Sequence, residues 1–151
     1  MTDAWGYVRL SQSGRDASLD EQRDSISEYA ADTRLNLQTT RNDGEGTSGF
    51  DEDRHEYQIV RGKIEHGEID AVIVRDRARL SRDFDERLRL IQLFRETGVE
   101  WHVVEAGGRI AVEDTQTAGM ECLHAMMDDL KKRQEIKRAR DATDERLEEG
   151  L

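Results

Sequence analysis

Short apolar runs alternate with helical patterns through the first 112 residues, and the links between them are short. The runs begin near residues 4, 36, 70 and 99, and the third is continuously apolar over Ala71–Val74. Strands linked through helices form a parallel sheet, and a continuous apolar run is typical of a strand covered on both faces. The sequence therefore predicts an α/β domain with a mostly parallel four- to five-stranded sheet and helices on both faces.

Helix boundaries are marked by capping residues. Ser18 is followed three residues later by Glu21, which is the spacing of a capping box, and Gly67 and Gly98 have the position of residues that end helices. A short edge strand is expected at Arg109–Val112. The helices predicted in this part of the chain cover residues 19 to 33, 54 to 66 and 84 to 97.

No helix breaker interrupts the sequence from about Thr115 to Glu149, so we predict one long helix there. It is too long to be covered by so small a domain. Its apolar side chains recur at three- and four-residue steps, and we expect them to pack against a second subunit. The predicted organisation is a domain over residues 1–112 and a long helix over 113–151. The apolar residues of this helix are Met120, Leu123, Met126, Met127 and Leu130.

Composition says more about the size and the cellular environment of this protein than about its function. The 151 residues suit one domain, and the net charge of −11 arises from carboxylates dispersed along a chain with few lysines. This texture indicates a high-salt, halophilic cytoplasm, because the Debye length falls to about 3 Å in molar salt and self-repulsion is screened. Cys122 is the single cysteine, and neither a membrane span nor an export signal is recognisable. We expect a soluble cytoplasmic protein.

An arginine and a serine end the first strand, and four arginines follow the third strand. Open α/β sheets bind ligands at the carboxyl ends of their strands, and guanidinium groups bind phosphate through paired hydrogen bonds. A serine among arginines, with no Ser-His-Asp arrangement and no metal cluster, suits attack on phosphorus. The alternative is a solvated strand face and a surface salt-bridged by Asp76, Asp83 and Asp85. The residues in question are Arg9, Ser11, Arg75, Arg77, Arg79 and Arg82.

Two further basic features also have alternative explanations. Arg54 stands at the start of a predicted helix, where a cation opposes the macrodipole, so it is either solvated or placed to contact an anion. The segment Lys131–Arg140 contains six basic residues and one acidic residue. It either follows a phosphate backbone or balances acidic neighbours on its helix.

The glycines of the loop after the second strand match G-x-G-x-x-G, the fingerprint of dinucleotide binding. Acidic residues crowd this loop, it does not follow the first strand, and no helix begins at its last glycine. Nucleotide binding is therefore the less favoured use of this loop, which we expect to be mobile. The three glycines are Gly44, Gly46 and Gly49.

Four motifs in order resemble those of the serine recombinases, the family of resolvases, invertases and related transposon and phage integrases. Tyr7–Ser11 resembles Y-x-R-x-S, and Ser18–Gln22 resembles S-L-x-x-Q. Asp43–Gly49 is similar to D-x-G-x-S-G but longer, and Arg79–Arg82 matches R-L-x-R. The resemblance implies a resolvase-like three-layer fold with a long C-terminal dimerisation helix.

The resemblance also implies the chemistry. Ser11 would attack a DNA phosphodiester and form a 5′-phosphoserine link with a free 3′-hydroxyl, without a metal or nucleotide cofactor. Arg9, Arg79 and Arg82 would bind and activate the phosphate, supported by Arg54 and Gln22. The subunits would form a homodimer and a synaptic tetramer that exchanges strands of double-stranded DNA. The basic residues expected to contact DNA are Lys132, Arg133, Lys137, Arg138 and Arg140.

The chain departs from the family pattern in three places. Ala78 replaces the usual Asp before the first arginine of R-L-x-R, and Asp76 lies out of register, so we expect reduced activity or a changed supporting role. Lys132–Arg133 replaces a frequent Glu-Arg pair. The sequence reaches Leu151 without a helix-turn-helix domain, as in the catalytic part of a longer protein or a protein that takes its specificity from elsewhere. The alternative function is a non-catalytic dimerisation or regulatory module.

Overall fold

The structure is a computed structural model that describes residues 1–10, 17–44, 55–81 and 83–149. These residues form a five-stranded sheet, four α-helices and two single turns of 3₁₀-helix, at Arg77–Arg79 and Val104–Ala106. The strands are β1 (Asp3–Val8), β2 (Asn36–Asn42), β3 (Ala71–Val74), β4 (Glu100–Val103) and β5 (Gly108–Arg109). The α-helices are α1 (Leu19–Thr33), α2 (His55–Glu65), α3 (Phe84–Thr97) and α4 (Thr115–Glu149).

The sheet has the order β2-β1-β3-β4-β5, and all neighbouring strands are parallel except the pair β4 and β5. One face of the sheet packs against α1, through Ile26 and Ala30. The other face packs against α2, α3 and the first turns of α4, and this larger core includes Val60, Phe94 and Ala118. The predicted three-layer α/β fold with a mostly parallel sheet is therefore confirmed.

The predicted helix boundaries are also confirmed by the capping contacts. Ser18 Oγ accepts a hydrogen bond from the Glu21 amide at 3.1 Å, so it caps α1 as the spacing predicts. Asp83 caps α3 in the same way, through the Glu86 amide at 3.2 Å. Gly98 ends α3 with φ of 76°, a left-handed conformation that glycine adopts without the steric cost of a Cβ atom.

The predicted edge strand at Arg109–Val112 is wrong in position. The strand is Gly108–Arg109, which pairs antiparallel with β4. Its ladder ends because the Val112 amide turns back to the Ile110 carbonyl at 2.9 Å. Ile110 and Val112 are both buried in the larger core, so this apolar segment is a buried turn and not a longer strand.

The strand order places two loops side by side. The chain moves from β1 outward to β2 and then returns to β3 on the other side of β1. A crevice forms where the connections diverge in this way, and ligands of doubly wound sheets bind there, at the carboxyl ends of the strands. Because β1 ends at Val8 and β3 ends at Val74, Arg9 and the turn at Arg77–Arg79 meet at this crevice.

The 35-residue helix α4 is covered only in its first part. Ala118, Glu121 and Ala125 are buried, whereas the predicted apolar stripe is on the outside. Cys122 is partly buried against the larger core, which fits its expected role as a small core residue. None of the described helices is long and apolar enough to cross a membrane. The exposed apolar residues of α4 are Met120, Leu123, Met126, Met127, Leu130 and Ile136.

Candidate active site

The structure brings together the three predicted catalytic residues that lie among the described residues. Arg9, Gln22 and Arg79 retain 0%, 1% and 3% of their exposure. Each comes from a different part of the chain: the end of β1, the start of α1 and the turn after β3. The expectation for Ser11, Arg54 and Arg82, and for the loop glycines Gly46 and Gly49, falls outside the described residues.

Arg9 and Arg79 hold each other through main-chain carbonyl groups. The Arg9 guanidinium donates from Nε to the Arg79 carbonyl at 3.2 Å and from Nη2 to the Ala78 carbonyl at 2.8 Å. In return, Arg79 Nη1 donates to the Arg9 carbonyl at 2.7 Å. Hydrogen bonds from charged donors are stronger than neutral ones, especially away from water. We call this arrangement the arginine clasp, and it excludes the alternative of a solvated strand face at Arg9.

Gln22 fixes the same stretch of backbone from α1. Its side-chain Nε2 donates to the Arg9 carbonyl at 2.9 Å and to the Ala17 carbonyl at 3.0 Å. Its Oε1 accepts from the Arg9 amide at 3.3 Å. One amide group therefore binds both polar groups of the Arg9 backbone, which sets the direction in which the chain leaves β1.

The turn that carries Arg79 is organised by Asp76, two residues beyond the end of β3. Asp76 Oδ1 accepts from the Ala78 amide at 3.1 Å and from Arg79 Nε at 3.1 Å. Since Arg79 is buried, this ion pair does not belong to a salt-bridged surface, which was the alternative explanation for the arginines after β3. Asp83, another predicted surface partner, instead caps α3.

The turn is also attached to α4. Arg77 donates a two-pronged pair of hydrogen bonds to Glu121, from Nε at 2.7 Å and from Nη2 at 3.1 Å. About two turns further along α4, Asp128 pairs with the buried Arg87 of α3. Glu121 and Asp128 lie seven residues apart, which places them on the same face of the helix. The start of α4 is thus held against the domain largely by ion pairs and small residues.

The model of the protein family described as "Resolvase, N terminal domain" matches residues 4–151 of this chain. The chain belongs to this family. No sequence among the curated proteins matches it. The matched residues include nearly all of the sheet, the arginine clasp and α4.

Solved structures with the resolvase fold are similar over most of the chain. The N-terminal catalytic domain of TP901-1 integrase has a TM-score of 0.66 and 23% identity, covering 88% of this chain and 98% of that one. A resolvase family site-specific recombinase from Streptococcus pneumoniae has a TM-score of 0.67 and 20% identity, covering 95% and 98%. The C-terminal catalytic domain of ISC1926 TnpA, an IS607-like serine recombinase, has a TM-score of 0.58 and 25% identity, covering 68% and 67%.

One carboxylate of this resolvase-family site was not predicted as a site residue. Asp43, at the end of β2, accepts hydrogen bonds from the Tyr7 hydroxyl and from the amides of Glu56 and Tyr57, the latter two at 2.9 and 3.0 Å. It therefore links β1 to the first turn of α2. The signal was present in the sequence, because Asp43 is the first residue of the D-x-G match.

The basic segment lies on the part of α4 that extends beyond the domain. Arg133 is paired with Asp129 at 2.9 Å, but its side chain is 76% exposed, and such surface pairs contribute little to stability. Lys132 is partly exposed, and the remaining predicted DNA contacts are exposed. Among the described residues, no group of three histidine, cysteine or carboxylate side chains could hold a metal ion. The exposed members of the segment are Lys131, Arg133, Lys137, Arg138 and Arg140.

Proposed function

We propose that this chain is the catalytic domain of a serine site-specific DNA recombinase, with Ser11 as the nucleophile. The observation that carries the proposal is the arginine clasp. It concentrates two buried guanidinium groups at the crevice between β1 and β3, and the chain reaches Ser11 two residues after Arg9. A serine delivered beside fixed positive charge suits attack on a phosphodiester, because the charge stabilises the phosphoryl oxygens as the transition state forms.

The proposed reaction is a transesterification. Ser11 Oγ loses its proton and forms a bond to phosphorus, while the bond from phosphorus to the 3′-oxygen breaks and that oxygen leaves as a 3′-hydroxyl. The 5′ end of the DNA is then held as a phosphoserine ester. Attack by a 3′-hydroxyl of the partner strand reverses the step and releases the serine. One phosphate ester replaces another, so no external energy source or cofactor is required.

We assign separate roles to the remaining site residues. Arg79 contacts the phosphate, whereas Arg9 and Gln22 hold the backbone that leads to Ser11. Arg82 and Arg54 are proposed as further phosphate contacts, on the basis of their places in the R-L-x-R match and after the glycine loop. Because the substrate is DNA, the proposed location is the cytoplasm.

Double-stranded DNA is the proposed partner of the basic segment on α4. The segment contains six basic residues and one acidic residue in a chain with a net charge of −11, so its charge is local. Cations along one exposed helix suit contact with phosphates, and binding by such contacts weakens as the salt concentration rises. The residues assigned to this contact are Lys132, Arg133, Lys137, Arg138 and Arg140.

We further propose that the exposed apolar stripe of α4 forms a homodimer interface, from which a synaptic tetramer is built. Met120, Leu123, Met127 and Leu130 follow the three- and four-residue steps of a helix seam, and each is about half exposed. Exposed apolar patches of this kind mark interaction surfaces.

Replacing Leu123 with glutamate should convert the dimer to a monomer, because the carboxylate would have to be buried without a partner. Sedimentation equilibrium should show at least a roughly 100-fold rise in the dissociation constant, the change expected for about 3 kcal/mol. Glu135→Gln, on the same helix beyond the stripe, is the control. A dimer of unchanged affinity in Leu123→Glu would place the interface elsewhere.

The recombinase proposal is tested by trapping the covalent intermediate. The full-length gene product is incubated with supercoiled DNA that carries its native site, and the mixture is then denatured. We expect a protein–DNA adduct whose peptide map places the phosphodiester on Ser11. No adduct, or an adduct on another side chain, would contradict the proposal. The absence of any adduct would instead favour a non-catalytic dimerisation or regulatory module, which Ala78 also favours by removing a carboxylate that the family usually has.

A further inference from the structure

We propose that Asp76 is a positioning residue for phosphate attack, acting through Arg79. This inference rests on the proposed recombinase function and assigns one more residue to the same site. Asp76 lies between β3 and the 3₁₀ turn that follows it, and it is not part of the R-L-x-R match. Its carboxylate nevertheless makes the ion pair with the guanidinium that we assign to the scissile phosphate.

Hydrogen bonds to Asp76 and to the Arg9 carbonyl contribute to the orientation of the Arg79 guanidinium. Nε donates to Asp76 Oδ1 at 3.1 Å, and Nη1 donates to the Arg9 carbonyl at 2.7 Å. Because the guanidinium is planar and rigid, two donors with fixed acceptors set both its plane and its rotation within that plane. Removing the Asp76 contact takes away the acceptor at Nε, so the angle of the Arg79 guanidinium to a bound phosphate is less firmly set.

The same carboxylate oxygen also shapes the turn. Asp76 Oδ1 accepts from the Ala78 amide at 3.1 Å, which caps the 3₁₀ turn that carries Arg79. One oxygen atom of Asp76 therefore contacts both the backbone of the turn that carries Arg79 and the Arg79 side chain. An asparagine at this position retains that oxygen without the charge, whereas an alanine removes both contacts. The two variants separate the geometry of Arg79 from the electrostatic effect of the carboxylate.

The surroundings of Asp76 indicate that its effect on stability is modest. The side chain is 31% exposed and lines an open cleft of about 350 Å³ between the ends of β3 and β4 and helix α4. A carboxylate that faces such a cleft keeps part of its hydration, so its ion pair contributes less to folding than a fully buried pair. The cleft is also lined by Arg77, Glu105 and Asp128.

The experiment compares Asp76→Ala, Asp76→Asn and the control Glu105→Gln. Glu105 lines the same cleft, but its ion pair is with Arg75 at 3.6 Å and not with Arg79. Adduct formation is measured in single turnover at saturating DNA, together with the affinity for DNA. We expect Asp76→Ala to lower the rate about 100-fold, the effect of a misplaced catalytic group, with the DNA affinity changed less than about threefold. Asp76→Asn should recover most of the rate, and Glu105→Gln should match the wild type.

A second measurement does not require activity. The Arg79 Nε–H resonance is assigned in ¹⁵N spectra by its loss in Arg79→Lys, and its hydrogen exchange is then compared among the variants. We expect faster exchange in Asp76→Ala and near-wild-type exchange in Asp76→Asn. Unchanged exchange in Asp76→Ala, or equal loss of rate in Asp76→Ala and Glu105→Gln, would overturn the proposal. If the wild type forms no adduct, the recombinase function fails, while the exchange measurement still decides whether Asp76 holds Arg79.

Discussion

Ser11→Ala is expected to abolish the covalent protein–DNA adduct. The substitution removes the oxygen that bonds to phosphorus in the proposed mechanism. The arginines that we propose to bind the phosphate are unchanged in this variant. Affinity for DNA should therefore change by less than 0.5 kcal/mol, or about twofold. Denaturing gels and an equilibrium binding assay measure the two quantities on the same preparation.

Ser13 provides a matched control for this prediction, because it lies two residues further along the same segment. Ser13→Ala should form the adduct at the wild-type rate. If Ser11→Ala still formed an adduct at that rate, or if only Ser13→Ala lost it, the assignment of the nucleophile would be wrong. Loss of DNA binding in Ser11→Ala would instead give the hydroxyl a role in affinity that the mechanism does not contain.

Most of the fold could be predicted from local patterns. The start of α1 follows from Ser18 and Glu21, and the end of α3 follows from Gly98, because capping contacts form between residues close in sequence. The error at Arg109–Val112 has the same origin. Alternation along a few residues does not distinguish a strand from a buried turn when both place apolar side chains in the core.

The candidate site was only partly predictable. The sequence identified Arg9, Gln22 and Arg79 by type and motif, and the structure brings these three together. It could not show that the arginines bind each other's backbone, since the two residues are 70 positions apart and a carbonyl acceptor leaves no trace in the sequence. The contact of Glu121 with Arg77 was missed for a similar reason, because an acidic residue on a helix is usually solvated.

The contacts around the turn after β3 suggest how the site and the long helix are connected. The turn is held by Arg9 on one side, by Asp76 within it and by the Arg77–Glu121 pair on the side of α4. Glu121 is 3% exposed and lies in the chain between Met120 and Leu123, two apolar residues of the proposed dimer interface. The arginine that we propose to contact the phosphate is thus linked through the partly buried Arg77–Glu121 pair to the helix on which subunits would assemble.

Removal of the Arg9 side chain is expected to affect both folding and chemistry. Arg9 is fully buried, and it donates to the carbonyls of Ala78 and Arg79. Arg9→Ala leaves both carbonyls without these charged donors and opens space in a packed interior, so the free energy of unfolding should fall by about 3 to 5 kcal/mol. Urea denaturation measures this loss. The turn that carries Arg79 also loses its attachment to β1, so adduct formation should fall below detection.

Arg9→Lys separates the charge from the geometry of the clasp. A lysine retains the positive charge but cannot donate to both carbonyls through a planar fork, so it should recover only part of the stability and leave adduct formation about 100-fold below the wild type. Arg75→Lys is the control, because Arg75 lies beside the same turn but is partly exposed and pairs with Glu105 at 3.6 Å. It should change unfolding by less than about 0.5 kcal/mol. Wild-type stability and activity in Arg9→Lys would show that charge alone suffices, and the fork geometry of the clasp would then have no part in the reaction.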